Sequence, residues 1–525
     1  LVVIDESSEE GKKSGIGVAL VNIGAAQSKD VKRLQNEENA HRLKFKIFIN
    51  EKRLFFSFCS WRTWRLSGEK LGCFMRILDY SKSKDQKAIG KLMRREALVS
   101  LQGAGSRSAL TKKVFGKSLS PEQAVDKIIS EVRQKGDPAL FTYTRKLDGF
   151  AVNKSNVQVT PVEIRKALQT VPKVLMESLR VAIKQIRAFH ENEKPKDWIK
   201  KNQDVNWWQR WTALDQVGVY VPGGLAVYPS SVLMNVIPAK VAGVQKIVMV
   251  TPVKKTGKVD PVILAAAHLA GVSQIFKIGG AQAVAALAYG TQTVPAVDKI
   301  TGPGNLFVAL AKRKVFGQVG IDGFAGPSEV LILSDGTVSP AWVAADLLAQ
   351  AEHDEMASCL LVTSSLKLAK QVSEEVELQL ELLSRRQTAS DSLKSRGAIL
   401  LVKNKAQALE TANRFAAEHL EILAKNPKPW LKGLKHAGAV FVGPLSPVAF
   451  GDFTAGTNHI LPTSGTARFA SGLSVYDFLK RTNVLEVKAP GVRKLGRPTV
   501  FLAEQEGLTG HAQSVLFRMA AGTKP

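Results

Sequence analysis

A chain of 525 residues is too long for one ordinary core, and its 45% hydrophobic and 23% charged residues exclude a disordered or fibrous protein. The formal charge of +27 favours anionic ligands, yet Lys and Arg are dispersed with no aromatic-interleaved stripe, which argues against nucleic-acid binding as the main function. No apolar run reaches the ~18 residues of a membrane span, and the three cysteines, Cys59, Cys73 and Cys359, form no CxxC, which points away from disulfides and thiolate zinc and toward a reducing, cytoplasmic setting.

Residues 1–87 mix an acidic start (Asp5, Glu6, Glu9, Glu10), a basic-aromatic middle and a Ser/Lys tail, with Met75 the first methionine. No period of 2 or 3.6 persists there, so the stretch reads as an extension outside the main fold. From about Ala88 the chain becomes regular. Apolar residues at helical spacing follow the cap-like Ser120, and 171–194 reads as a further helix, so 88–216 is expected to be a helical segment packed on a core.

Strands and helices then alternate. Strands are expected at 217–221, 246–251 and 274–278, with helices at 231–243, 261–270, 281–289 and 306–315 and a closing strand at 330–333. A second series runs through helix 340–352, strand 359–363, helix 366–383, strand 398–402, helix 406–423 and strand 439–442. Continuous apolar strands between helices mean parallel sheets covered on both faces. The expectation is α/β: two Rossmann-like, incompletely doubly wound domains at 217–338 and 339–445, with ligands at the carboxyl ends of the strands between them. Residues 446–525 read as a loop-rich mixed tail, too short for a core of its own.

No GxGxxG or GxxxxGK[ST] is present, so a standard dinucleotide or P-loop cradle is unsupported. Pro222-Gly223-Gly224, Gly279-Gly280 and Thr301-Gly302-Pro303-Gly304-Asn305 would let a ligand approach the backbone, or serve simply as turns. Four of the eight histidines lie in polar clusters of the second half: His353, His419, His459 and His511. Gln350 and His353 are spaced i, i+3 and can reach a common cation, with donors that suit zinc, although QxxH alone is a weak signal. Glu418 and His419 are a candidate acid/base pair, equally readable as a pair on a helix surface. Cys359 opens a strand expected to be buried, so structural packing outweighs a nucleophilic role.

Residues from about 88 to 520 resemble histidinol dehydrogenases. The resemblance is carried by VGVYVPGG (217–224), YPSSVLMNVIPAKVAGV (228–244), GGAQAVAALAYGT (279–291), DKITGPGN (298–305), GIDGFAGPSEV (320–330), DLLAQAEHD (346–354), AAEHLEI (416–422), GDFTAGTNHILPT (451–463) and EGLTGHAQSV (506–515), in order. It covers roughly four-fifths of the chain. The resemblance implies oxidation of L-histidinol to L-histidine with two NAD, through an enzyme-held aldehyde and its hydrate. It also implies one zinc per subunit held by Gln350, His353, Asp452 and His511, and an acid/base pair Glu418 and His419. Substrate contacts would include Ser328, His459 and Glu506 besides these residues. NAD contacts would be Tyr220, Gln282 and Asn305. A homodimer in which the 446–525 tail completes the partner's site is implied as well. The alternatives are a related dehydrogenase of another small alcohol, opposed by Ser328, His459 and Glu506, and a non-enzymatic anion or nucleic-acid binder suggested by the charge.

Overall fold

A computed structural model describes residues 2–4, 45–49, 52–56, 75–93, 111–223, 227–323 and 326–521. The chain divides at residue 72 into two units, and each is taken by itself. In the first, β1 (Val2–Ile4), β2 (Phe45–Ile49) and β3 (Lys52–Phe56) form an antiparallel sheet. The remainder of this unit, with His41, Cys59 and most of the expected extension, lies outside the described residues.

The second unit holds two parallel sheets and a smaller antiparallel one. Ordering the strands by chain position, β4 is Arg76–Asp79, β5 Trp198–Lys201, β6 Val205–Ala213, β7 Gln216–Tyr220, β8 Lys246–Val250, β9 Gln274–Phe276, β10 Lys299–Thr301 and β11 Gly320–Ile321. They are followed by β12 (Glu329–Ser334), β13 (Ser358–Thr363), β14 (Gly397–Leu401), β15 (His419–Leu423), β16 (Ala439–Val442) and β17 (Leu479–Val487). The first parallel sheet has the order β11-β10-β7-β8-β9 and the second β16-β15-β12-β13-β14-β4. Both reverse direction of travel beside their first-formed central strand, the doubly wound pattern expected of the sequence.

Local chemistry explains the elements. Ser120 and Gln123 form a reciprocal capping box on the helix Pro121–Lys135, and Thr160 with Glu163 repeats it on Pro161–Thr170, each with Pro at the first helical position. The helices Pro229–Ala242, Pro261–Ala270 and Gly280–Tyr289 are apolar nearly all round, and accordingly almost wholly buried. Gly302 follows β10 with φ +108°, and a Cβ there would collide with the Tyr220 carbonyl oxygen, so only glycine fits this turn.

Four expectations are corrected. Residues 75–87 belong to the fold: β4 pairs in parallel with β14 from Arg76↔Ala398 to Asp79↔Leu401, and Met75, Leu78 and Ile89 are buried. The strand β12 does not close the first domain but lies inside the second sheet, between β13 and β15. The stretch expected as one helix over 406–423 is a helix, Lys405–Phe415, then β15; Ala416 in the left-handed region (φ +50°) breaks it, and the buried run after it pairs with β12. Finally, the helical segment and the tail each donate strands to one antiparallel sheet, β17-β6-β5, and the tail continues into helices Ala489–Gln505 and Thr509–Ala520. In the first of these helices Pro490 sits in the first turn, where a missing N–H costs nothing, and Pro498 lies in the interior.

Candidate active site

The two parallel sheets face each other across a cavity of about 700 Å³. From the first sheet come the loops after β7 (Pro222, Tyr228 to Ser231), β10 (Gly302 to Gly304) and β11 (Asp322, Gly323). These are carboxyl ends, as expected. The second sheet departs from expectation, because Ser328 and Glu418–His419 sit at the amino ends of β12 and β15. The helix Pro340–Ala351 runs antiparallel to those strands, so its carboxyl end brings Gln350 and His353 to the same edge. Asp452, near the end of the helix Val448–Phe453, and His459 complete the wall.

The His419 ring is fixed by its neighbours. Its Nδ1 is 3.1 Å from the Glu329 carbonyl oxygen, which can only accept, so Nδ1 carries the proton and donates. That leaves Nε2 with a free lone pair. The atom is buried, has no hydrogen-bond partner and lies 3.7 Å from Asp452 Oδ1. Burial drives the His419 pKa down to about 3, with the nearby His353 and His459 opposing a further positive charge. A neutral imidazole with an unoccupied basic nitrogen results.

Glu418 accepts from Glu329 N at 2.9 Å and is hydrogen-bonded to Ser328. Burial, then the charges of Glu329 and Asp452, push its pKa well above the ordinary carboxylate range. Burial alone lifts Asp452 to about 7. His459 Nδ1 pairs with the Asp452 carbonyl oxygen at 3.0 Å, and burial lowers this ring to about 4. Gln350 is buried, and its Nε2 has no partner. Amide oxygen and nitrogen are assigned by their partners, so this buried amide can equally present its oxygen. Among the described residues, no three His, Cys, Asp or Glu side chains form a metal cage within one chain. Gln350, His353 and Asp452 nonetheless offer one amide, one imidazole and one carboxylate to a common space, an N/O donor set suited to zinc.

Of the residues expected to bind NAD, Tyr220 and Asn305 lie at the carboxyl ends of β7 and β10, beside the switch point of the first sheet, Gln282 lies on the helix after the edge strand β9, and none of the three lines the cavity. Tyr220 ends β7, and its hydroxyl accepts from Gly280 N at 3.0 Å. Gln282 is fully buried, and neither amide atom has a hydrogen-bond partner. Asn305 caps the helix Leu306–Val315 by accepting from Phe307 N and Val308 N at 3.0 and 3.2 Å. Glu506 and His511, in contrast, do not line the cavity; both are exposed on the C-terminal helices. Cys359 is fully buried on β13, and burial pushes its thiol up to about 12.

Sequence reasoning passed over several residues of the site. Glu329 presents its carbonyl to His419, and its carboxylate accepts from Glu418 N and Ser464 N. Asn458 donates to His190 Nε2 at 3.3 Å and to the Met234 carbonyl, anchoring the turn that carries His459. Lys312 is buried in an ion pair with Asp322, and Asp322 accepts from Gly302 N at 2.7 Å, which holds the loop after β10. Glu329, Asp322 and Asn458 lie inside the quoted motifs; His190 and Lys312 become visible only through long-range contact.

Two α/β sheets enclosing a cavity with a neutral imidazole, a buried glutamate and an N/O donor cluster define an enzyme site equipped for proton transfer. The histidinol dehydrogenase family profile matches residues 114–519, and the chain belongs to that family. It is 48% identical over 398 residues to a histidinol dehydrogenase of Synechococcus sp., covering 76% of this chain and 92% of that one. It is 51% identical over 393 residues to one of Agrobacterium fabrum, covering 75% and 91%. The crystal structure of histidinol dehydrogenase from Elizabethkingia anophelis superposes with a TM-score of 0.78 at 33% identity, over 85% of this chain and 98% of that one. The chain is thus an oxidoreductase of histidine biosynthesis.

Proposed function

We propose that the chain oxidises L-histidinol to L-histidine in two NAD-dependent steps, with a zinc ion orienting the substrate. The observation that carries this reading is His419: neutral, held by the Glu329 carbonyl, with Nε2 unpartnered at the cavity. That is the state a general base needs near neutral pH. In the first oxidation the alcohol proton passes to His419 Nε2 as the carbinol carbon gives up a hydride. The nicotinamide supplies the hydride acceptor when bound, and Tyr220, Gln282 and Asn305 would hold the dinucleotide.

Gln350, His353 and Asp452 would hold the zinc, whose positive charge favours ionised Glu418 and Asp452 and fixes nitrogen donors of the substrate. In the second oxidation ionised Glu418 takes a proton from water as the oxygen adds to the aldehyde carbon, and protonated His419 returns its proton to the aldehyde oxygen, forming a hydrate. His419 then takes one hydroxyl proton as the carbon gives its hydride to a second NAD, and the acid so formed releases its last proton to solvent to leave a carboxylate. Enclosure between the sheets keeps the aldehyde from bulk water.

The site is completed in a homodimer. Glu506 and His511 lie away from the cavity of their own chain, and their helices expose Phe501 (62%), Leu502 (62%) and Phe517 (69%). Apolar surface of this kind calls for a covering partner, and a second copy supplies one in which the tail reaches across. A cytoplasmic location agrees with a fold in which no described helix is long and apolar enough to cross a membrane.

Purified protein supplied with histidinol, NAD and zinc tests the reaction. Two NADH per histidine are expected, with activity lost to a chelator and restored by zinc. One NADH per turnover with aldehyde release, or faster turnover of an unrelated alcohol, would overturn it.

A further inference from the structure

Glu421 is fully buried on β15, two residues beyond His419 and on the same face of the sheet. Leu423, next on that face, packs with Leu347 and Leu348 of the helix Pro340–Ala351, whereas Leu420 and Ile422 pack on the opposite side. Glu421 Oε1 accepts from Val448 N at 3.0 Å. That amide opens the helix Val448–Phe453, where the backbone has no acceptor of its own. Glu421 Oε2 is buried and receives no N–H or O–H. The Glu421 carboxyl is also hydrogen-bonded to that of the half-buried Asp346 on the helix Pro340–Ala351. Two ionised carboxylates have only acceptors, so such a bond exists only when one of them carries a proton.

We propose that Asp346 and Glu421 form a proton-sharing carboxyl clamp that sets the spacing of the three elements building the metal and catalytic site. Gln350 lies one turn beyond Asp346 on the same helix face, with His353 just after it. Asp452 lies one turn beyond Val448. His419 precedes Glu421 by two residues on β15. One glutamate therefore ties the helix of Gln350, the helix of Asp452 and the strand of His419 to a single point beneath the cavity. Burial pushes both carboxyls above their ordinary range, which favours the shared proton. Asp346 and Glu421 act through other residues and are positioning groups. The inference rests on the proposed metal reading.

The chemistry specifies its own conservative rescue. A glutamine at 421 has the shape of a protonated glutamate: its oxygen can accept from Val448 N and its amide can donate to Asp346. A leucine at 421 removes both bonds, and Asp346→Ala removes the acceptor without opening a deep core position. The experiment titrates cobalt(II) into the full-length metal-free chain and records affinity and the visible ligand-field spectrum, alongside kcat and KM for histidinol with zinc. Glu421→Gln should stay within about threefold of wild type, whereas Glu421→Leu and Asp346→Ala should weaken cobalt about 10–100-fold, as outer-shell losses do. Those two variants should also alter the spectrum and lower kcat. If Glu421→Leu fails to fold, Asp346→Ala carries the test. Unchanged cobalt affinity and spectrum in Asp346→Ala would overturn the clamp alone. Damage in Glu421→Gln equal to that in Asp346→Ala would overturn the shared proton. A wild-type chain that binds no cobalt would overturn the metal reading and this inference with it.

Discussion

His419 and Glu418 are adjacent in sequence but prepared for different tasks. The imidazole is kept neutral with one nitrogen anchored and the other free, while the carboxyl is buried beside two further acids. His419→Asn should therefore slow oxidation of histidinol by ~100-fold or more, the usual worth of a positioned base. Glu418→Gln should spare that step and depress oxidation of histidinal, the step that needs activated water. Rates on the two substrates, measured separately, check this; equal losses in both steps for both variants would contradict it. The thiol gives the opposite expectation. Cys359 is packed in the core beside Ser392 Oγ at 3.8 Å, with its pKa far from the thiolate range. Cys359→Ala should retain most turnover, and complete loss in a folded, zinc-loaded variant would reinstate a covalent role. At this scale the motifs made Gln350, His353, Glu418, His419, Asp452 and His459 legible, and these line one cavity. The Glu329 carbonyl and the Glu421–Asp346 contact were not legible, because they depend on strand register and on helix–strand packing between elements far apart in the chain.

The parallel strands were legible where they are continuous apolar runs, as in β8 and β13, since both of their faces are covered. Strands exposed on one side or at an edge were not. β5 is exposed along its length, and β6 and β17 carry polar residues between their tryptophans and aliphatics. β4 has four residues and hides in a stretch without periodicity, yet it closes one edge of the second sheet. This gives an element-scale prediction. A chain beginning at Ser83 should melt roughly 5 °C or more below one beginning at Met75, since it forfeits buried Met75 and Leu78 and bares β14. Leu78→Ala alone should cost about 2–5 kcal/mol in denaturant unfolding. Equal midpoints for the two truncated chains would show that β4 contributes nothing to the sheet.

Over the whole molecule, the charge of +27 gives a basic balance that suits a dinucleotide and a carboxylate product. In the proposed zinc site Gln350, His353 and Asp452 would be joined by a further ligand, and the chain's own His511 stands exposed on the tail. An ion bound only by the assembled form stabilises that form, so zinc removal should shift the dimer toward monomers in sedimentation. The claim on which this picture rests is that Gln350, His353 and Asp452 of one chain work with Glu506 and His511 of another. The most direct measurement mixes two inactive variants, His353→Ala and His511→Ala, and isolates the heterodimer. With shared sites, one site collects both defects and the other has none, so the heterodimer should recover about half of wild-type activity by its two-fold symmetry. A heterodimer as inactive as either parent would mean that each chain builds its own site, and would contradict the claim.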